Sequence, residues 1–157
     1  MPRIGVISDT HGLLRAEALD LLRGSQRILH AGDIGGPEIL RQLAELAPLT
    51  AVRGNNDHGP WAEALPAALT LSVAGVGIHV LHDLAELAID PVAAGVRVVI
   101  AGHSHKPAVQ ERGGVLYLNP GSAGPRRFRL PIAVAALLVE GDAVAAQITE
   151  LAVPRAA

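Results

Sequence analysis

Apolar runs of strand length alternate with polar, glycine-bearing breaks along this chain. Ile4-Gly5-Val6-Ile7 is uninterrupted and predicts a short buried strand. It gives way at Ser8-Asp9-Thr10-His11-Gly12 to small, polar, turn-forming residues. Ala18, Leu21 and Leu22 then recur at helical spacing before Gly24, so residues 14–23 are predicted helical. Arg27–His30 reads as a second strand, broken by Ala31-Gly32-Asp33. Pro37 suits a first helical position, and Leu40, Leu43, Ala44 and Ala47 mark the apolar face of a helix ending before Pro48. Leu49–Arg53 is a third strand, broken by Gly54-Asn55-Asn56-Asp57. Strand, helix, strand, helix, strand in this order predicts an α/β unit with parallel strands.

The pattern changes after residue 57. Residues 57–66 hold two prolines and a Trp with little periodicity, and read as a loop with a short helix. Leu69–Ala74 and Ile78–Leu81 flank Gly75-Val76-Gly77 as a hairpin, and the second run ends in His82-Asp83. Leu84, Leu87 and Ala88 predict a short helix stopping near Asp90-Pro91. Arg97–Ala101 is a strand that ends in Gly102-His103-Ser104-His105, and Val115–Leu118 is one that ends in Asn119-Pro120-Gly121-Ser122. Leu130–Val139 and Ala143–Leu151 close the chain as a hairpin around Glu140-Gly141-Asp142. No internal repeat, linker or low-complexity tract interrupts this order, and a single domain over residues 1–157 is expected.

Composition narrows the function classes. Half of the 157 residues are hydrophobic but only 2% are aromatic, so the core is built from Ala, Val, Leu and Ile. A formal net charge of −2 gives no basic field toward nucleic acid or membrane. The absence of Cys excludes disulfides, zinc–thiolate sites and a Cys nucleophile. No signal-peptide pattern opens the chain, and no apolar run reaches the roughly 18 residues of a membrane span. A cytoplasmic protein is expected.

The polar residues carry the chemistry. Strand after strand ends in a Gly beside Asp, Asn or His, and glycine lets backbone turn sharply and approach a ligand closely. Strand carboxyl ends are where open α/β sheets place their ligand sites. Asp, Asn and neutral His are ligands for Mn, Fe, Zn or Ni. If these strands share one edge, Asp9, His11, Asp33, Asn55, His82, His103 and His105 converge. That set is too large for one tetrahedral ion and suits two ions sharing a bridging carboxylate. Two ions about 3.5–4 Å apart clamp both oxygens of an in-line phosphoryl displacement and lower the pKa of a shared water.

DTH, GD, GNND, a strand-end His and GHSH, in this order, resemble the calcineurin-like metallophosphoesterases. The short length, the NPGS after GHSH and the following Pro-Arg are similar to the small prokaryotic, YfcE-like phosphodiesterase branch of that superfamily. The resemblance implies a four-layer α-β-β-α sandwich, with two mixed sheets face to face and helices outside. It implies a dinuclear site: Asp9, His11 and His105 on one ion, Asn55, His82 and His103 on the other, and Asp33 bridging. Asp33, Asn55 and His103 would then be catalytic as well. Two divalent ions are implied, with manganese foremost and Ni, Fe, Zn and Mg as alternatives. The implied activity is hydrolysis of a small phosphate diester, such as a nucleotide, by a hydroxide bridging the two ions. A homo-oligomer is compatible with the aliphatic hairpins; membrane attachment and stable nucleic-acid binding are not expected.

Each residue also has a plainer role. Asp9 and His11 alone suit an ordinary turn, Gly32-Asp33 a helix cap, and Asn55 a left-handed turn position. His30 inside its strand reads as a core histidine behind the site, and His79 as a solvent-facing one. Asn56, His58 and Arg126 are candidate substrate contacts, and Arg126 and Arg127 suit a phosphate. Two departures stand out. Phosphatases of the superfamily place a His after the Asn ligand to protonate the leaving group; this chain has Asn56, whose amide has no proton to give in the neutral range. Many relatives read His-Gly-His where this chain reads His82-Asp83-Leu84. The alternatives are a phosphomonoesterase and a non-catalytic scaffold like the retromer subunit of the superfamily.

Overall fold

The computed structural model describes residues 2–153, and the apolar runs become the strands of two five-stranded sheets. The first sheet has the order β10-β9-β1-β2-β3. Its strands are β1 (Arg3–Ile7), β2 (Arg27–His30), β3 (Leu49–Ala51), β9 (Ala133–Glu140) and β10 (Ala143–Glu150). β1 pairs in parallel with β2, β2 in parallel with β3, and β9 antiparallel with both β1 and β10. The first three strands therefore run the same way, as their helical connections require. The second sheet has the order β4-β5-β6-β8-β7. Its strands are β4 (Ala68–Val73), β5 (Val76–Leu81), β6 (Val98–Ile100), β7 (Ala108–Arg112) and β8 (Val115–Asn119). There β5, β6 and β8 are parallel, with antiparallel β4 and β7 at the two edges.

Alternation along the strands builds three apolar layers. Ile4, Val6, Leu29, Ile78, Val80, Val98, Ile100, Leu118 and Leu137 fill the space between the sheets. Helices α1 (Ala16–Leu22) and α2 (Pro37–Ala44) cover the other face of the first sheet through Ala18, Leu22, Ile39 and Leu43. The inward stripe of α2 is Ile39, Leu43 and then Ala47, while Ala44 of the expected apolar face is exposed. The outer face of the second sheet carries Val99, Ala101, Val115 and Tyr117, with Leu87 and Ile89 packed against it. Here the expected helix is only a 3-10 turn, Leu84–Glu86, capped by the Asp83 side chain on the Ala85 N–H. The sandwich is thus four-layered with a thin fourth layer.

Three further differences have local causes. Strand β7 was not expected, because every residue from Ala108 to Arg112 is exposed and no apolar period marks it; its signal is the Gly113-Gly114 turn into β8. The loop after residue 57 contains a four-residue helix, α3 (Pro60–Glu63), opened by Pro60. His79 is buried rather than solvent-facing, with Nδ1 2.7 Å from Thr70 Oγ1 on the neighbouring strand. No helix among the described residues is long and apolar enough to cross a membrane.

Candidate metal centre

All the parallel strands deliver their carboxyl ends to one edge of the sandwich, and the polar breaks meet there. Asp9 and His11 follow β1, Asp33 follows β2, and Asn55 follows β3. His82 follows β5, and His103 and His105 follow β6. Backbone bonds lace these loops together: Asp9 N–H to Gly32 O, His11 N–H to Asp33 O, and Gly102 N–H to His82 O, at 2.9–3.0 Å. Asp9, His11, Asp33, His103 and His105 all sit at positive φ, between 47° and 70°. Only Ala74 and Phe128 join them among the described non-glycine residues. Left-handed backbone costs L-residues energy and persists where surroundings impose it. The loops are shaped to aim these side chains.

Two groups of ligand atoms result. Asp9, His11 and His105 form one, and Asp9, Asp33 and His82 the other, each with ligand atoms within 4.8 Å of one another. Asp9 Oδ1 lies 3.7 Å from His11 Nε2, 3.9 Å from His82 Nε2 and 3.3 Å from His105 Nε2. Asp33 Oδ2 lies 3.2 Å from His82 Nε2 and 3.8 Å from His11 Nε2. Asp9 is thus common to both groups, and Asp33 also reaches across them. Asn55 and His103 form the outer wall: His103 Nδ1 is 3.2 Å from Asn55 Oδ1, and its Nε2 is 3.8 Å from Asp83 Oδ2. Both are exposed, and His103 stands outside the two groups.

The remaining polar atoms hold the ligands in place. Asp9 Oδ2 accepts from Ser8 Oγ at 2.7 Å and from the His103 N–H at 3.2 Å. Asp33 accepts from the Asn56 N–H and from the Asn56 side-chain amide, at 2.9 and 3.0 Å. His82 Nδ1 is 2.8 Å from the Ala31 carbonyl, an acceptor only, so the proton sits on Nδ1 and the Nε2 lone pair faces the carboxylates. Beneath them His30 is fully buried. Its Nδ1 accepts from the Gly32 N–H at 3.1 Å, and its Nε2–H donates to Thr10 Oγ1, which donates to Ile34 O. The expected role behind the site is the one it occupies.

Burial and charge oppose each other at this edge. Burial would raise Asp33, but the His82 imidazole beside it and the two hydrogen bonds from Asn56 hold it well below the usual carboxylate range. Burial would likewise raise Asp9, but the imidazole of His11, the Ser8 hydroxyl and the imidazoles of His82 and His105 around it hold it down. Burial would lower His82, yet Asp33 and Asp9 raise it, whereas His105 is lowered by burial, helped by Arg127. Asp9 Oδ1, His11 Nε2 and His82 Nε2 are buried and have no hydrogen-bond partner among the described residues. Ionised carboxylate oxygens facing imidazole lone pairs in a buried space repel unless a cation lies between them. Their separations of 3.2–3.9 Å allow each to reach one ion about 2 Å away. The donors therefore fit divalent metal.

The three candidate substrate contacts, Asn56, His58 and Arg126, take these places. Asn56 directs its amide to Asp33 rather than to open space. Arg126 donates to the Leu130 and Val153 carbonyls, and Arg127 is the guanidinium whose charge reaches His105. His58 is exposed and outside both ligand groups. Asp57 was missed by sequence reasoning. It is buried, and its carboxylate accepts from the Ile34, Gly35 and Gly54 N–H groups at 2.9–3.1 Å, tying the Asp33 loop to the Asn55 loop. A carboxylate inside a glycine–asparagine turn was the available signal. Asn119 ties the β8 loop to the site by donating to the Gly102 carbonyl at 3.0 Å. Glycine is required where backbone meets ligand: a Cβ on Gly54 would collide with Asp33, and one on Gly102 with Ser8 and Asp9.

Comparison with known proteins places this arrangement. Residues 2–142 match the family model described as the calcineurin-like phosphoesterase superfamily domain. A probable metallophosphoesterase of Methanothermobacter thermautotrophicus is 34% identical over 96% of this chain and 94% of its own length. Among solved structures, one described as a novel archaeal phosphodiesterase superposes with a TM-score of 0.77 at 21% identity, covering 94% of this chain and 99% of that one. Vps29 from Entamoeba histolytica, determined with zinc, gives 0.72 at 24% identity, covering 94% and 98%. At these identities the two structures testify to the fold.

Proposed function

We propose that this chain, which belongs to the calcineurin-like phosphoesterase superfamily, is a phosphodiesterase dependent on a pair of divalent metal ions. The observation that carries the reading is Asp9 Oδ1, buried, without a hydrogen-bond partner among the described residues and faced by three imidazole nitrogens. Asp9, His11 and His105 would hold one ion, and Asn55, His82 and His103 the other, with Asp33 shared. Bound there, the ions supply Lewis acidity to the phosphoryl oxygens and make hydroxide available near neutral pH.

The chain's own residues set the rest. The Ala31 carbonyl fixes the His82 tautomer, and Asn56 keeps Asp33 ionised and oriented. The Arg127 guanidinium, whose charge is felt at His105, would offset charge on the phosphoryl oxygens. Hydroxide forms the new P–O bond as the opposite ester oxygen leaves with its electron pair. That oxygen takes its proton from solvent, because Asn56 has none to give. A diester with a stable leaving alkoxide suits such a site better than a monoester with a poor one.

The test is hydrolysis by metal-stripped protein with and without Mn²⁺, Ni²⁺ or Zn²⁺, on bis(p-nitrophenyl) phosphate and p-nitrophenyl phosphate side by side. Metal-dependent release from the diester above that from the monoester is the expected result. Preference for the monoester overturns the diesterase assignment. No release with any ion moves the protein to the scaffold reading, which the likeness to Vps29 in fold keeps open.

A further inference from the structure

Asp83 directly follows His82, where many relatives read His-Gly-His, and its carboxylate has two tasks. The backbone at Asp83 is extended, with φ −116° and ψ 116°, so it and His82 project to opposite sides. His82 turns inward to Asp33 and is buried. Asp83 stays on the rim, its side chain 33% exposed. Its Oδ1 accepts the Ala85 N–H at 3.0 Å and caps the 3-10 turn Leu84–Glu86. That bond holds the carboxylate in place, with Oδ2 facing His103 Nε2 at 3.8 Å.

The backbone of His103 is fixed, at φ 70° and with its N–H on Asp9 Oδ2 at 3.2 Å. Packing does not fix its ring. The side chain is 46% exposed and meets the His82 ring edge-on, with centroids 5.2 Å apart. An exposed ring keeps rotamer freedom that ligation must remove. Its two nitrogens face different acceptors, Nδ1 toward Asn55 Oδ1 at 3.2 Å and Nε2 toward Asp83. A neutral imidazole carries one ring proton. On Nδ1, that proton bonds Asn55 and sets the Nε2 lone pair against the Asp83 carboxylate. On Nε2, it meets the carboxylate and leaves the Nδ1 lone pair beside Asn55 Oδ1, where one cation can take both. The ionised acceptor makes the stronger hydrogen bond, so Asp83 selects the second arrangement.

We propose that Asp83 is the positioning residue of His103: it accepts the Nε2–H and so directs the Nδ1 lone pair, together with Asn55 Oδ1, into the site. At 3.8 Å the pair is longer than a direct hydrogen bond. A small rotation of either exposed side chain closes it, or one water bridges it. A carboxylate behind a ligating imidazole fixes the tautomer and raises the basicity of the ligand. The inference rests on the two-ion reading above and adds a residue to it. The ion held by Asn55, His82 and His103 would depend on Asp83, and the ion held by Asp9, His11 and His105 would not.

The experiment compares Asp83→Asn and Asp83→Ser with the wild-type protein. Asparagine keeps the size and the cap, serine keeps the cap alone, and neither offers a carboxylate to His103. Nitrogen NMR of isotope-labelled, metal-free protein at alkaline pH reads the ring tautomers, with the His103 signals identified by their loss in His103→Gln. The expected result is His103 mainly in the Nε2–H form in the wild type and shifted toward Nδ1–H in both variants. Calorimetric titration with Zn²⁺ reads the ions. One of two binding steps should weaken about tenfold or more in both variants, and the other should stay unchanged. A tautomer that does not respond overturns the proposal; a zinc step lost all the same would then make Asp83 a ligand itself. Zinc steps that are both unchanged, or both weakened equally, overturn it too. A single zinc step in the wild type removes the two-ion reading instead, and the tautomer comparison then decides the role of Asp83 without it.

Discussion

Asp33 and His82 meet across the seam between the two sheets, with Oδ2 and Nε2 3.2 Å apart. Asp33 follows β2 of the first sheet and His82 follows β5 of the second. The contact exists only when the sandwich is closed. Each partner is held from behind, Asp33 by Asn56 and His82 by the Ala31 carbonyl. A cation between them would therefore bind the folded sandwich and stabilise it.

Asp33→Ala and His82→Ala are each expected to lower bound divalent metal at least tenfold and diesterase activity at least a hundredfold. Metal content after dialysis and turnover on the same samples check this. Chelation of the wild-type protein should lower its melting temperature and leave those of the two variants nearly unchanged. Equal shifts in all three would place the metal elsewhere.

Asp57 binds no candidate ligand, yet its carboxylate closes three backbone donors. Asp57→Ala strands those N–H groups and should cost about 2–4 kcal/mol, read as a lower urea midpoint. Asp57→Asn retains a carbonyl acceptor and should cost less. Because Asp57 spans the Asp33 and Asn55 loops, metal affinity should fall along with stability.

His30 is buried and its pKa is pushed down to about 4 from the usual 6.5, chiefly by burial. Its Nδ1 already accepts from the Gly32 N–H, so a proton there displaces a hydrogen bond. Between pH 6.5 and 4 the unfolded chain binds a proton that the folded chain refuses, so stability falls as pH falls through that window. The loss is about 3 kcal/mol in all. Urea titrations of metal-free wild type and His30→Gln should diverge across this window and run parallel above it. Parallel curves throughout would show that His30 titrates normally.

Gly54 lets the β3 loop pass against Asp33. Gly54→Ala forces Asp33 away and should lose metal as fully as Asp33→Ala does, while Asp33 itself remains. Gly113→Ala, also a loop glycine but with open space around it, should leave metal binding intact although its φ of +57° costs some stability.

Asn56 leaves the departing oxygen without an acid from the chain at that position. Rates should depend steeply on leaving-group acidity, with aryl diesters turned over far faster than alkyl diesters after correction for intrinsic reactivity. A series of substituted phenyl and alkyl diesters measures this. Comparable corrected rates would show that another group donates the proton.

The order of elements and the candidate ligands were legible in the chain because both are local. A β1 of unbroken apolar residues and an α2 opened by Pro37 follow from periodicity and one fixed dihedral. The polar breaks at the strand ends announce themselves by residue type, so Asp9, Asp33, His82 and His105 could be named before any fold. What sequence could not supply was direction and distance. Strand β7 has no apolar period, since it is an edge strand exposed at every residue and is held by its pairing with β8. His79 reads as polar and exposed, but Thr70 across the hairpin satisfies its ring nitrogen and permits burial. Asn56 and Arg126 carry the right chemistry, and only packing decided that one would orient Asp33 and the other bind the Leu130 and Val153 carbonyls. The chain determined which residues can ligate a metal. The closing of two sheets through one apolar core decided which of their atoms meet, because contacts between residues tens of positions apart are set by that packing and not by any local pattern.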